Sequence, residues 1–137
     1  MAMVMILRNA EVYQPEYAGK KDILILGRTI AAVGENLKAD FGGSLEVMEI
    51  NAEGMAAVPG FIDSHEHILG GGGEGGFHTR TPEASLGDLT RNGITTVVGC
   101  IGTDGVGRDA AALLAKAHAL EEEGVTAYAY TGSYQVP

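Results

Sequence analysis

Apolar and polar positions along this 137-residue chain change rhythm near residue 57. Before that point the apolar runs are short and closely spaced: residues 4–7, 22–26, 29–33 and 45–50. Gly27 and the Phe41-Gly42-Gly43-Ser44 stretch supply the breaks between them. Frequent short strands with glycine turns predict a small β-sandwich part over residues 1–56, a scaffold with no residue expected to do chemistry. After residue 57 the pattern becomes strand, loop, helix, strand. Val58-Pro59-Gly60-Phe61-Ile62 enters a first strand, and Thr81-Pro82-Glu83 reads as a helix start, with Thr81 as N-cap and proline at the first helical position. That helix stops at Asn92-Gly93. Residues 94–101 are β-branched and nearly all apolar, as a strand buried in a parallel sheet requires. Asp109 can cap a second helix whose Ala110, Leu113, Leu114, Ala117 and Leu120 share one face before Gly124 ends it. Residues 125–131 form a third strand. Strands recurring roughly every thirty residues with helices between them are βαβ units, hence a parallel sheet or barrel over residues 57–137.

Composition narrows the class. Charged residues make up 20% of the chain, and mean hydropathy is close to zero, which favours neither disorder nor a membrane protein. The formal charge of −9 argues against nucleic acid or an anionic membrane as partner. A single cysteine excludes an internal disulfide framework, and Cys100, inside the second strand, reads as a small core residue. Residues 1–7 lack the basic start and the length of a signal peptide. These features together predict a cytoplasmic protein.

The chemistry concentrates after the first strand. His65 and His67 stand at i and i+2, so their imidazoles can converge on one metal ion; the plainer reading is two histidines on a solvated strand end. Asp63 either orients a histidine or ends the strand. Four glycines, 70–73, then Glu74 follow. Glycine amides can approach an anion closely, and a carboxylate suits an ammonium. A zwitterionic amino-acid head would place its carboxylate on the Gly72 and Gly73 amides and its ammonium on Glu74; the competing reading is a surface lid with no specific contact. Gly71, Gly73 and Gly76 satisfy Gly-x-Gly-x-x-Gly, but no helix follows at once and Glu74 would repel a pyrophosphate. Thr103 and Tyr134 follow the second and third strands and therefore share the strand-end rim with the histidines. Each can donate a hydroxyl to a substrate, Tyr134 to a developing oxyanion, or simply satisfy loop backbone.

Asp63-Ser-His-Glu-His67 after Pro59-Gly-Phe-Ile62 resembles the first-strand signature of the amidohydrolase superfamily of metal hydrolases. The continuation from Gly70 through Glu74 and Thr79-Arg-Thr-Pro-Glu83, with Gly102-Thr-Asp104 and residues 131–137, is similar to the isoaspartyl (β-aspartyl) dipeptidase branch. Glu66 departs from that pattern, which more often has an apolar residue there; by strand alternation it should point away from the ligand face. The resemblance implies a (β/α)8 TIM-like barrel, of which this α/β chain would hold a β-sandwich part and the first three strands. It implies a full-length enzyme that cleaves the β-aspartyl amide of dipeptides with two zinc ions, bridged by a hydroxide and a carboxylated lysine. His65 and His67 would be metal ligands. Gly72, Gly73, Glu74, Thr103 and Tyr134 would bind substrate, with Tyr134 also the catalytic hydroxyl donor. A small dipeptide would be the substrate partner, and the full-length chain a homo-oligomer. A barrel takes about 250 residues, so the chain reads as the first part of a longer enzyme and is expected to be inactive alone. The alternatives are another amidohydrolase, an amidase or deacetylase, and a non-catalytic remnant.

Overall fold

Val4, Ile6, Ala10 and Val12 are buried along one ten-residue strand, β1 (Val4–Tyr13), the spine of the first sheet. β2 (Tyr17–Leu26) pairs with it antiparallel, and β3 (Thr29–Gly34) pairs with β2. On the other side β1 takes β4 (Val47–Asn51) and the two-residue β5 (Ala56–Ala57), both parallel. The β part seen here is thus one five-stranded sheet of order β3-β2-β1-β4, with β5 alongside β1. β1 outlasts the apolar run that suggested it. Its register passes from Leu7↔Ile23 to Ala10↔Lys21, one residue more on β1 than on β2, with Asn9 at φ 62°. This bulge hides the continuation of the strand behind two polar residues. The computed structural model describes residues 3–132, and the chain divides into two compact units between Pro59 and Gly60.

In the second unit β6 (Phe61–Glu66), β7 (Ile94–Gly99) and β8 (Thr126–Ala129) form a parallel sheet in that order. The crossover between β7 and β8 is α2 (Ala110–Glu123), capped as expected: Asp109 Oδ1 accepts from the Ala112 amide at 2.7 Å, and Gly124 closes the helix at φ 110°. Leu113, Ala117 and Leu120, one face by their 4- and 3-residue spacing, are buried with Val97, Val125 and Ala127 of the sheet. Replacing Leu113 or Leu120 by alanine should cost about 2–5 kcal/mol.

The first helix departs from expectation. α1 spans Leu86–Thr90, and its N-cap is Ser85, not Thr81. Ser85 and Asp88 form a reciprocal capping box, which takes the start from the Thr-Pro-Glu signal. The Thr81 hydroxyl is engaged elsewhere: it accepts from the Gly71 amide at 2.7 Å. Residues 70–82 are therefore a folded loop whose two sides bond to each other, and it is this loop that borders the site. No helix among the described residues is long and apolar enough to cross a membrane.

Candidate functional site

β6 ends in a fault that shapes the site. Its pairing with β7 runs through Asp63↔Val97 and resumes at Glu66↔Gly99, so β6 carries one extra residue. A bulge breaks alternation. Glu66 does not line the cavity that the histidines face; its carboxyl lies against Asp63, and burial foremost, then the Asp63 charge, push that carboxyl up. Asp63 braces backbone rather than a ring, its Oδ1 accepting the His65 amide at 3.0 Å. His65 and His67 stand edge to face, ring centroids 5.5 Å apart.

Cys100 joins them. Its amide donates to the Glu66 carbonyl at 2.9 Å, tying the end of β7 to the end of β6, and its Sγ lies 3.6 Å from His67 Nδ1. Burial foremost, then Glu66 and Asp63, push the thiol up. The residue is buried as expected and is also part of the cavity wall, a role that core reading of β7 missed. Its place at the C-terminal end of a parallel strand was the available signal. Gly102, two residues on, is at φ 76°, and a β-carbon there would come within 2.7 Å of the His67 ring. Only glycine leaves that imidazole its position.

One ligand atom each from His65, His67 and Cys100 lies within 4.8 Å of the others. Neutral imidazoles with a thiol nearby are the donor chemistry of zinc and similar borderline cations. With donor atoms of that type this close together, the residues present fit a metal.

The histidines open on a cavity of about 310 Å³, also lined by Gly72, Glu74, Thr103 and Gly132. Glu74 and Thr103, from different loops, meet: the Thr103 side-chain hydrogen bond foremost, then backbone, hold the Glu74 carboxyl below the usual range. Of the two glycine amides proposed for a substrate carboxylate, that of Gly73 is spent inside the loop, donating to Thr79 Oγ1 at 3.2 Å. Gly73 faces an adjoining cavity of about 260 Å³, which it shares with Phe77 and Val106. Gly72 remains on the histidine cavity. Tyr134 lies outside the described residues. The Tyr130 hydroxyl donates to the Ser64 carbonyl at 3.0 Å, its ring 6.5 Å from that of His65.

Beneath the glycine loop lies a residue that no sequence pattern marked. Arg108, 6% exposed, reaches three loop carbonyls.

No protein-family model matches the chain. A β-aspartyl dipeptidase from Fervidobacterium islandicum AW-1, solved in complex with a β-Asp-Leu dipeptide, is 49% identical with a TM-score of 0.87, over 100% of this chain and 35% of that one. A D-hydantoinase from Thermus sp. is 26% identical at a TM-score of 0.54, over 88% of this chain and 24% of its own. Allantoinase of Escherichia coli K12 is 35% identical over 92 residues, 66% of this chain and 19% of the enzyme. The chain spans about a third of the dipeptidase and a fifth of the allantoinase it matches. The likeness read from the motifs therefore holds over the whole chain: it is similar to the β-aspartyl dipeptidase branch of the amidohydrolase superfamily.

Proposed function

We propose that this chain supplies the first metal ligands and the amine-binding loop of a metal-dependent hydrolase that cleaves the β-aspartyl amide of dipeptides. The observation that carries it is the shared cavity, lined by two neighbouring imidazoles, the Glu74 carboxylate and Thr103. A hydrolase of amides needs the first feature, and selection of a free amino terminus needs the second.

His65 and His67 would hold the ion, with zinc the natural choice for imidazole donors and a second ion completed by residues of a longer chain. When bound, such an ion supplies Lewis acidity toward the amide carbonyl and a more acidic water. Glu74 binds the α-ammonium of the isoaspartyl residue. Like any glutamate it is charged at neutral pH, as an ammonium partner requires. Thr103 fixes the direction of that carboxylate, and Gly72 forms the wall beside it. Tyr134 is the hydroxyl donor in this reading, and the parallel β6-β7-β8 sheet is the opening of a barrel that further strands close.

The test is hydrolysis by the full-length protein of β-Asp-Leu, α-Asp-Leu and cyclic amides, with metal added or chelated. Selective, chelator-sensitive cleavage of β-Asp-Leu is expected. Turnover of hydantoins or allantoin without β-aspartyl cleavage would replace this reading with that of a cyclic-amide hydrolase.

A further inference from the structure

We propose that Arg108 is a positioning residue for substrate selection: its buried guanidinium clamps the glycine loop so that Glu74 stays aimed into the histidine cavity. The inference rests on the reading of Glu74 as the amine-binding carboxylate.

Arg108 stands one residue before the N-cap of α2, and its side chain turns inward rather than to solvent. Nε donates to the Leu69 carbonyl at 2.9 Å, Nη1 to that of Gly72 at 3.2 Å, and Nη2 to that of Thr81 at 3.1 Å. These carbonyls come from both sides of the loop, before and after Glu74. The loop's own bonds join the same two sides: Gly71 and Thr81 bond through their backbones and the Thr81 hydroxyl, and the Gly73 amide reaches Thr79. Those bonds satisfy amides and leave carbonyls pointing inward, where only a multiple donor can meet them. A planar guanidinium has three nitrogens in a fixed fork, so one side chain holds three divergent acceptors; an ammonium offers a single point.

The charge itself is balanced by Asp104, whose Oδ2 lies 3.7 Å from Arg108 Nη1 and 3.2 Å from Arg80 Nε. Asp104 is immobilised in turn, because its Oδ1 accepts the Val106 and Gly107 amides at 3.2 and 2.8 Å. It directly follows Thr103, which lines the histidine cavity together with Glu74. The loop bearing Glu74 and the segment bearing Thr103 are thus fastened to one guanidinium. Without it, four glycines at positive φ (Gly70, Gly72, Gly73 and Gly76) would release the loop into many conformations, few of which direct Glu74 at the cavity.

The experiment uses the full-length metal-loaded enzyme and the variants Arg108→Met and Arg108→Lys. Each is assayed on β-Asp-Leu with free and with acetylated amine, alongside metal content and thermal unfolding. A positioning role predicts unchanged metal content, a KM for the free-amine substrate raised about tenfold or more, and a smaller change in kcat. Discrimination against the acetylated substrate should shrink in parallel. Lysine keeps the charge and the solubility of the fold but not the fork, so Arg108→Lys should show the same signature in weaker form. A folded Arg108→Lys with unaltered KM and unaltered amine discrimination would overturn the proposal. So would failure of both variants to fold, which would make the residue purely structural. If the unsubstituted enzyme cleaves no β-aspartyl dipeptide, the functional reading itself fails, an outcome distinct from either of these.

Discussion

Among the described residues each compact unit buries one charged side chain, and the two are of opposite sign. In the first unit it is Asp22, 5% exposed; in the second it is Arg108. The difference follows from which half of the peptide group the local backbone leaves unpaired. The β1 bulge deprives Asn9 of a ladder partner, and the chain after β3 does the same for Leu37; both amides donate to Asp22, at 3.1 and 3.0 Å. An acceptor is required, and a carboxylate supplies it, with Arg8 bonded to Asp22 at 2.8 Å as counter-charge. The glycine loop presents carbonyls instead, and a guanidinium answers them. Irregular backbone selects the sign of the buried charge. What separates the units is what lies beside the fixed segment: in the second, a cavity with two imidazoles.

The comparison breaks most sharply at the histidines. Replacing both His65 and His67 by alanine in the full-length enzyme should abolish metal binding at this site and reduce turnover by several orders of magnitude, with the thermal transition of the metal-free protein nearly unchanged. Elemental analysis and β-Asp-Leu hydrolysis read the result; full metal occupancy in the double variant would remove both residues from the ligand set. Gly102→Ala should mimic much of this loss without touching a ligand, because its methyl occupies the space of the His67 ring. Activity at the unsubstituted level there would mean that the ring tolerates displacement.

A smaller and more selective effect belongs to Glu74. Glu74→Gln should leave metal content intact and lower kcat/KM for a free-amine substrate by about ten- to a hundredfold, with little change for an acetylated one. Equal losses on both substrates would show that the carboxylate does not read the amine.

These sites differ in how far the sequence betrayed them. That His65, His67, Glu74 and Thr103 line one cavity was legible because residues just after parallel strands fall on one rim. α2 was legible from Asp109, Gly124 and the face of Leu113, Ala117 and Leu120 between them, whereas Ala110 and Leu114, assigned to the same face, are exposed. The error at α1 traces to a competing local signal: Ser85 and Asp88 outbid Thr81 for the start of the helix. Arg108 and Asp22 were invisible for a different reason. Their partners are carbonyls and amides between 13 and 39 residues away, and no side-chain pattern records a backbone group that lacks a partner.

The smallest expected effect tests the first unit alone. Burial by itself would raise the Asp22 carboxyl, but the Asn9 amide, the Arg8 guanidinium and the Leu37 amide together outweigh it and hold the group below its ordinary value. A carboxyl depressed in the folded state contributes stability that is complete above the unfolded value, about 3.9, and that is lost as pH falls through the lower folded value. Asp22→Asn keeps the shape but exchanges the charged acceptor for a neutral amide. It should cost about 1–3 kcal/mol at neutral pH, read by denaturant unfolding of the same full-length protein. The gap between the two proteins should then narrow as pH drops below about 4, since protonation makes the unsubstituted residue neutral as well. Discrimination between free and acetylated amine should be unaffected by Asp22→Asn. A stability gap that stays constant into acid would show that the Asp22 charge adds nothing beyond its hydrogen bonds. A change in amine discrimination would show instead that the buried acid of the first unit also shapes the site of the second.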